Sequence, residues 1–404
     1  MPDRPRPRWT RHLPGLILVS VLVETSAGLG FALLNPRHRF YVEPAYSGQL
    51  SSAQRESIGR LLVTSRYLDY SATLGWTIRP NGRAPLYRAN AHGIRASREY
   101  TIDPPAGVVR IAAFGDSFTH GDQVANTDTW THQLERLHPG LEVLNFGVGG
   151  FGADQALLRY ETEGVRFHPH IVLLGFLPEN INRVVSVFRP FYVPDTGIPM
   201  SKPRFVLRDG QLALLPNPIP TRDGYRAILA DPATTLARLG ERDYFYQRSP
   251  HHHWTDASRS LQLVRLLVTQ GRLRLDADPI LVDHRFNTEA EAFKLLRSIV
   301  VRFGNVAARS GARPVLLILP GKDDLAGYRE SRSRKYAPLL AVLDDARLPY
   351  IDLMTALAPH DLDALFAGHY TPFGNRVVAT HLRDALLARG LIPPRAPSRS
   401  AGDP

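Results

Sequence analysis

The chain has 404 residues and a formal net charge of +11, with no cysteine and no visible repeat or heptad run. Disulfides, thiol catalysis, cysteine zinc sites, solenoids and coiled coils are excluded. The positive charge is almost all arginine, with lysine only at 202, 294, 322 and 335. Beyond the N-terminus these arginines are scattered rather than grouped with aromatics, so no nucleic-acid partner is expected.

Residues 1–12 form a basic segment carrying Arg4, Arg6, Arg8 and Arg11. Residues 13–34 are almost wholly apolar, broken by Glu24 and some small residues. At about 1.5 Å per residue such a helix spans a hydrocarbon core of ~30 Å. The arginines predict a cytoplasmic N-terminus and place the rest of the chain on the periplasmic side. Thr25-Ser26-Ala27 is a poor cleavage site and apolarity resumes after it, so an uncleaved signal-anchor is expected rather than a removed signal peptide. Residues 35–107 read as an adaptor: a helix over 51–66, then loops and short strands in "LGWTIRPNGRAPLYRANAHGIRA".

From residue 108 strands and helices alternate. "VVRIAAFG", "LEVLNFGVGG", "HIVLLGF", "RPVLLILP" and "LPYIDLM" are short apolar runs of the kind buried on both faces. Helices are predicted over 128–138 with Asp128 as cap, and over 153–163, 288–310 and 336–346. A final helix ends at Gly390. The pattern specifies an α/β fold with a mostly parallel sheet. Residues 184–284 break the rhythm and read as a large insertion with few periodic segments. The tail, 393–404, is rich in Pro, Arg and Ser, a composition expected to be disordered.

Ligands of open parallel sheets gather at the carboxyl ends of the strands. That edge receives Ser117 after the first strand and Gly147 to Gly150 after the second. Asn180 and Asn182 follow the third, and His369 precedes the last helix. Each alone has a plainer reading: Ser117 as a helix cap, the glycines as a turn, Asn180 as a loop residue, His369 as a structural histidine. Together they supply what ester cleavage needs. His369 takes the proton of Ser117, and the N–H groups of Ser117 and Gly150 with the Asn180 amide receive an oxyanion. This chemistry needs no cofactor and no metal. His251 to His253 read as a solvated loop, Lys322-Asp323-Asp324 as a polar loop. Arg79, Arg88 and Arg95 are solvated by default, with an anionic glycan the alternative.

The order "FGDSFTHGD", "NFGVGGFGADQ", "GFLPENINR", "GHYTPFGNRVVA" resembles the four blocks of the SGNH (GDSL-type) hydrolases. The lead-in "LGWTIRPN…NAHGIR" resembles that of their membrane-anchored bacterial members. The resemblance covers about 108–390 apart from the insertion, within a domain of 108–392, and implies a flavodoxin-like three-layer α/β/α fold. It also implies Ser117 as nucleophile, His369 as base and Gly150 and Asn180 as oxyanion donors. The expected activity is an extracytoplasmic esterase acting on a short, carbohydrate-linked O-acyl group. The alternatives are an O-acyltransferase on envelope polysaccharide, a degenerate glycan-binding protein, or a lipase. Two positions depart from the pattern. Phe366 stands where the family has an aspartate three residues before the histidine, leaving Asp363 and Asp361 as the nearest acids. Ile181 replaces the aspartate that follows the asparagine.

Overall fold

The computed structural model describes residues 12–34, 50–63, 66–194, 196–249, 251, 254–276 and 278–394. The basic segment 1–11, residues 35–49, His252, His253 and the tail from 395 lie outside the described residues. Five strands, β1 (Val109–Phe114), β2 (Leu141–Asn145), β3 (Ile171–Phe176), β4 (Arg313–Ile318) and β5 (Tyr350–Asp352), form one sheet in the order β2-β1-β3-β4-β5. Every pair is parallel. This is the flavodoxin-like order, and its topological switch lies between β1 and β3. β2 and β3 are buried at every position. The unbroken apolar run of β3 follows from helices covering both faces. Where polar residues enter, they are paired: Arg110 on β1 lies in register with Glu142 on β2, 2.6 Å apart, at the amino end of the sheet.

Seven helices matter for the site: α1 (Ser117–His120), α2 (Trp130–Leu137), α3 (Ala153–Arg159), α4 (Glu291–Arg309), α5 (Lys322–Ser331), α6 (Ala337–Asp345) and α7 (Pro372–Ala388). α2 packs on α7, and α3 on α4. Right-handed crossovers put these two pairs on opposite faces, completing three layers. Two local details differ from expectation. Thr129, not Asp128, caps α2, its side chain accepting the His132 N–H. The helix expected to 163 is α-helical only to Arg159 and then widens into a π turn over Tyr160–Gly164. A Cβ at Gly164 would lie 2.1 Å from the Phe114 ring, so only glycine fits where that turn meets β1.

The insertion is more regular than its sequence suggests. It contains the hairpin Arg204–Arg208/Gln211–Leu215 and helices Tyr225–Ala230, Pro232–Gly240, Tyr244–Arg248 and Arg259–Arg274. Three of these begin at side-chain caps, Asp231, Asp243 and Ser258, and Pro232 occupies a first turn where its missing N–H costs nothing. The first three helices, of 6, 9 and 5 residues, leave little periodicity to read.

Leu13–Leu34 is one helix of 22 residues. It packs against Arg259–Arg274, and Glu24 accepts hydrogen bonds from Ser258 Oγ and the Arg259 N–H, both at 2.6 Å. Among the described residues no helix is long and apolar enough to cross a membrane, so the structure supplies no span where one was expected.

Candidate active site

β1 ends at Phe114, and the chain turns through Gly115 and Asp116 into α1. Asp116, not Ser117, is the cap: its Oδ1 accepts the Phe118 N–H at 2.9 Å. Ser117 is therefore the first residue of the helix, at the carboxyl edge of the sheet beside the switch point. The approach is close. A Cβ at Gly115 or Gly175 would sit 2.1 Å from Thr119 Oγ1, and one at Gly147 would sit 2.3 Å from the His120 nitrogen. Glycine at these positions lets α1 seat between the ends of three strands.

His369 arrives on a two-residue strand, His369–Tyr370, paired with Phe366–Ala367 across Gly368. Tyr370 anchors it. Its hydroxyl donates to the Pro320 carbonyl at 2.7 Å and its ring meets Phe118 edge-on at 4.9 Å. His369 Nε2 then lies 2.9 Å from Ser117 Oγ. This is hydrogen-bond distance for a nucleophile and its base.

Neither expected acid serves this histidine. Asp361 caps the short helix Leu362–Leu365, accepting the Asp363 and Ala364 N–H groups. Asp363 is exposed and pairs with Lys322 at 2.6 Å, which holds its carboxyl below the usual range. Phe366 is buried against the Tyr370 ring, so that position faces the core and not the imidazole. The partner of His369 is Gln123, whose Oε1 lies 3.2 Å from Nδ1 and 3.0 Å from the backbone nitrogen of His369. Gln123 follows the first block directly. Its left-handed φ of 70° leaves no trace in the sequence, because the residue is not a glycine or asparagine.

The glycine loop after β2 carries Gly150 at φ 82°, with the Arg189 guanidinium against it and donating to its carbonyl at 3.1 Å. Burial and the neighbouring Arg183 pull Arg189 down to about 10. Trp76 Nε1 donates to the Gly149 carbonyl at 2.9 Å, so the lead-in region buttresses this loop. No hydrogen bond among the described residues uses the amide N–H of Ser117 or Gly150. Asn180 lies in a tight turn, Pro178–Ile181, after β3 and is 1 % exposed, and its Oδ1 has no partner among the described residues. Arg183 ties the three blocks together. It pairs with Glu179 at 2.5 Å and Asp116 at 3.5 Å, and donates to the Phe151 carbonyl at 2.8 Å. Burial pulls its guanidinium down, but Glu179 and Asp116 outweigh that and push it up. Burial also pushes the Asp116 carboxyl up, against the attraction of Arg183.

Behind Ser117 lies a second buried cluster that composition did not reveal. His120 is contacted at Nε2 by Tyr67 Oη, 2.7 Å away, and at Nδ1 by Asp122. Arg95, 4 % exposed and so not available to a glycan, donates to the carbonyls of His120 (2.6 Å), Gly121 (2.5 Å) and Val124 (2.6 Å). Arg79 and Arg88 are exposed. Burial, and then Arg95, pull His120 down from 6.5 to about 4. The unfolded chain therefore binds the extra proton between these values. The stability that neutral His120 confers is complete above pH 6.5 and is lost as pH falls towards 4, on the order of 3 kcal/mol. Denaturant unfolding of wild type and His120→Gln at pH 7 and 4.5 checks this. The variant is expected to lose most of that pH dependence, and equal slopes would refute the assignment.

A cleft of about 850 Å³ between the Arg204–Leu215 hairpin and α4, lined by Leu207, Leu212, Arg297 and Val301 among others, shares no residue with this site. No family model matches the sequence, and no curated protein matches it. Many solved structures similar to the chain are GDSL-type lipolytic hydrolases. A member of the lipolytic protein G-D-S-L family from Veillonella parvula is 13 % identical, over 69 % of this chain and 99 % of its own, with a TM-score of 0.32. A lipase/acylhydrolase from Enterococcus faecalis is 13 % identical, over 70 % of this chain and 97 % of its own, with a TM-score of 0.36. A two-domain esterase active on acetylated mannans is 10 % identical, over 73 % of this chain and 54 % of its own, with a TM-score of 0.35. Likenesses of this size assign no function to the chain.

Proposed function

We propose that the chain is a serine esterase of the SGNH type that cleaves an O-acyl ester through an acyl-serine. The observation that carries the reading is the 2.9 Å approach of His369 Nε2 to Ser117 Oγ at the switch point of the sheet. In the proposed sequence His369 removes the Ser117 hydroxyl proton as Oγ adds to the acyl carbonyl carbon. The N–H groups of Ser117 and Gly150 and the Asn180 amide receive the oxyanion. Collapse breaks the bond to the leaving oxygen, which takes the proton from His369. Water, activated by the same imidazole, then releases the acid. A sugar hydroxyl in place of that water would make the reaction acyl transfer.

The substrate class in this reading is a short acyl group on a carbohydrate, handled outside the cytoplasm. The support for that location is the arginine-flanked apolar segment. One reagent class tests both parts. A fluorophosphonate probe on the purified full chain is expected to modify Ser117, mapped by mass spectrometry, and to fail on His369→Ala. A membrane-impermeant version is expected to label the protein in intact spheroplasts as fully as in their lysate. No adduct on folded wild type would overturn the enzyme reading, and labelling only after lysis would overturn the location.

A further inference from the structure

We propose that Gln123 is the positioning residue of His369, holding through a neutral amide the tautomer that a carboxylate holds in acid-based triads. The proposal rests on the reading of Ser117 as nucleophile.

The argument begins with an atom that can only donate. The backbone N–H of His369 points at the Gln123 side chain at 3.0 Å, so the amide atom it meets is the acceptor, Oε1. The same oxygen faces His369 Nδ1 at 3.2 Å. Nδ1 therefore carries the proton, and Nε2 presents its lone pair to the Ser117 hydroxyl. The reverse amide orientation would set an NH2 group against that backbone N–H. The backbone of His369 thus reads the orientation of Gln123, and Gln123 in turn reads the tautomer of the ring.

The rest of the fold holds Gln123 in place. Its φ of 70° is unusual for a residue with a side chain, and such a conformation persists only where its surroundings enforce it. Here its N–H donates to Tyr87 Oη at 2.8 Å. The carbonyls on both sides, Gly121 and Val124, are fastened to the buried Arg95. Opposite, Gly368 at φ 83° has no Cβ, and one built there would lie 2.8 Å from Gln123 Oε1. An aspartate at 366 would enter the core beside Tyr370, so the orienting group comes from the loop after α1 instead.

A neutral amide orients the ring without adding to the negative charge that Asp116 and Asp122 already place near the imidazole, so a carboxylate at 123 would move the acid limb where a packing role would not. The test compares wild type, Gln123→Ala and Gln123→Glu as full chains. It reads kcat and KM for p-nitrophenyl acetate across pH 5 to 9, together with the rate of fluorophosphonate labelling. Gln123→Ala is expected to lower kcat by about 10- to 100-fold with KM within about 2-fold. Gln123→Glu is expected to recover kcat and to move the acid limb of the profile up by about one pH unit, because a carboxylate favours the charged ring. Unchanged kcat and an unchanged acid limb in both variants, with labelling as fast as wild type, would overturn the role of Gln123 and leave Ser117 as nucleophile. Wild type that takes no probe would instead remove the nucleophile reading, and this proposal with it.

Discussion

Ser117→Ala is expected to lower kcat/KM for p-nitrophenyl acetate by about 10⁴-fold or more, with the unfolding midpoint close to wild type. The size follows from the role. Among the described residues no other hydroxyl is held by His369, whose Nε2 is spent on Ser117 Oγ. Removing the attacking atom leaves only oxyanion donors and binding, which alone sustain a small residue of the rate. The structural cost is small because Asp116, and not Ser117, caps α1, so the helix keeps its start. Steady-state kinetics beside a denaturation curve separate the two effects. Turnover within tenfold of wild type would sink Ser117 as nucleophile. A large stability loss would show instead that the hydroxyl supports the fold.

Arg183→Met is expected to destabilise the protein by about 3–5 kcal/mol. The guanidinium is buried between Asp116, which is fully buried, and Glu179, and it also satisfies the Phe151 carbonyl. Methionine fills much of the volume but leaves two acids and one carbonyl without their cation. The partner left buried and charged, more than the lost attraction, sets the size of the effect. Asp116, Phe151 and Glu179 belong to the first, second and third blocks of the site, so activity should fall together with stability. Urea unfolding at pH 7 reads the change directly. A shift below about 1 kcal/mol would mean that Asp116 folds in its neutral form and that Arg183 does little for stability.

The largely apolar runs of β1 to β4, ended by glycine or proline within two residues, were legible because a strand covered on both faces needs such a run. Ser117, Gly150, Asn180 and His369 were legible as a set because parallel topology sends every strand's carboxyl end to one edge. The insertion was not legible, since most of its helices are short and three of them start from single capping side chains. Arg95 was misread for a related reason. Arginine is usually a surface residue, and nothing local shows that its two terminal nitrogens donate to three carbonyls of a loop about 25 residues away while Nε reaches Asn126 Oδ1.

By itself, then, the sequence determined the α/β class and the sheet edge at which Ser117 and His369 meet, because periodicity and strand order act over short stretches of chain. Only the tertiary structure decided what orients His369. Asp361 and Asp363 are nearest along the chain, yet one caps a helix and the other pairs with a lysine in solvent. Gln123 lies 246 residues away and reaches the ring through a left-handed turn clamped by Arg95 and opened by Gly368. Such a contact depends on three separate segments arriving at once, and no window of sequence contains it.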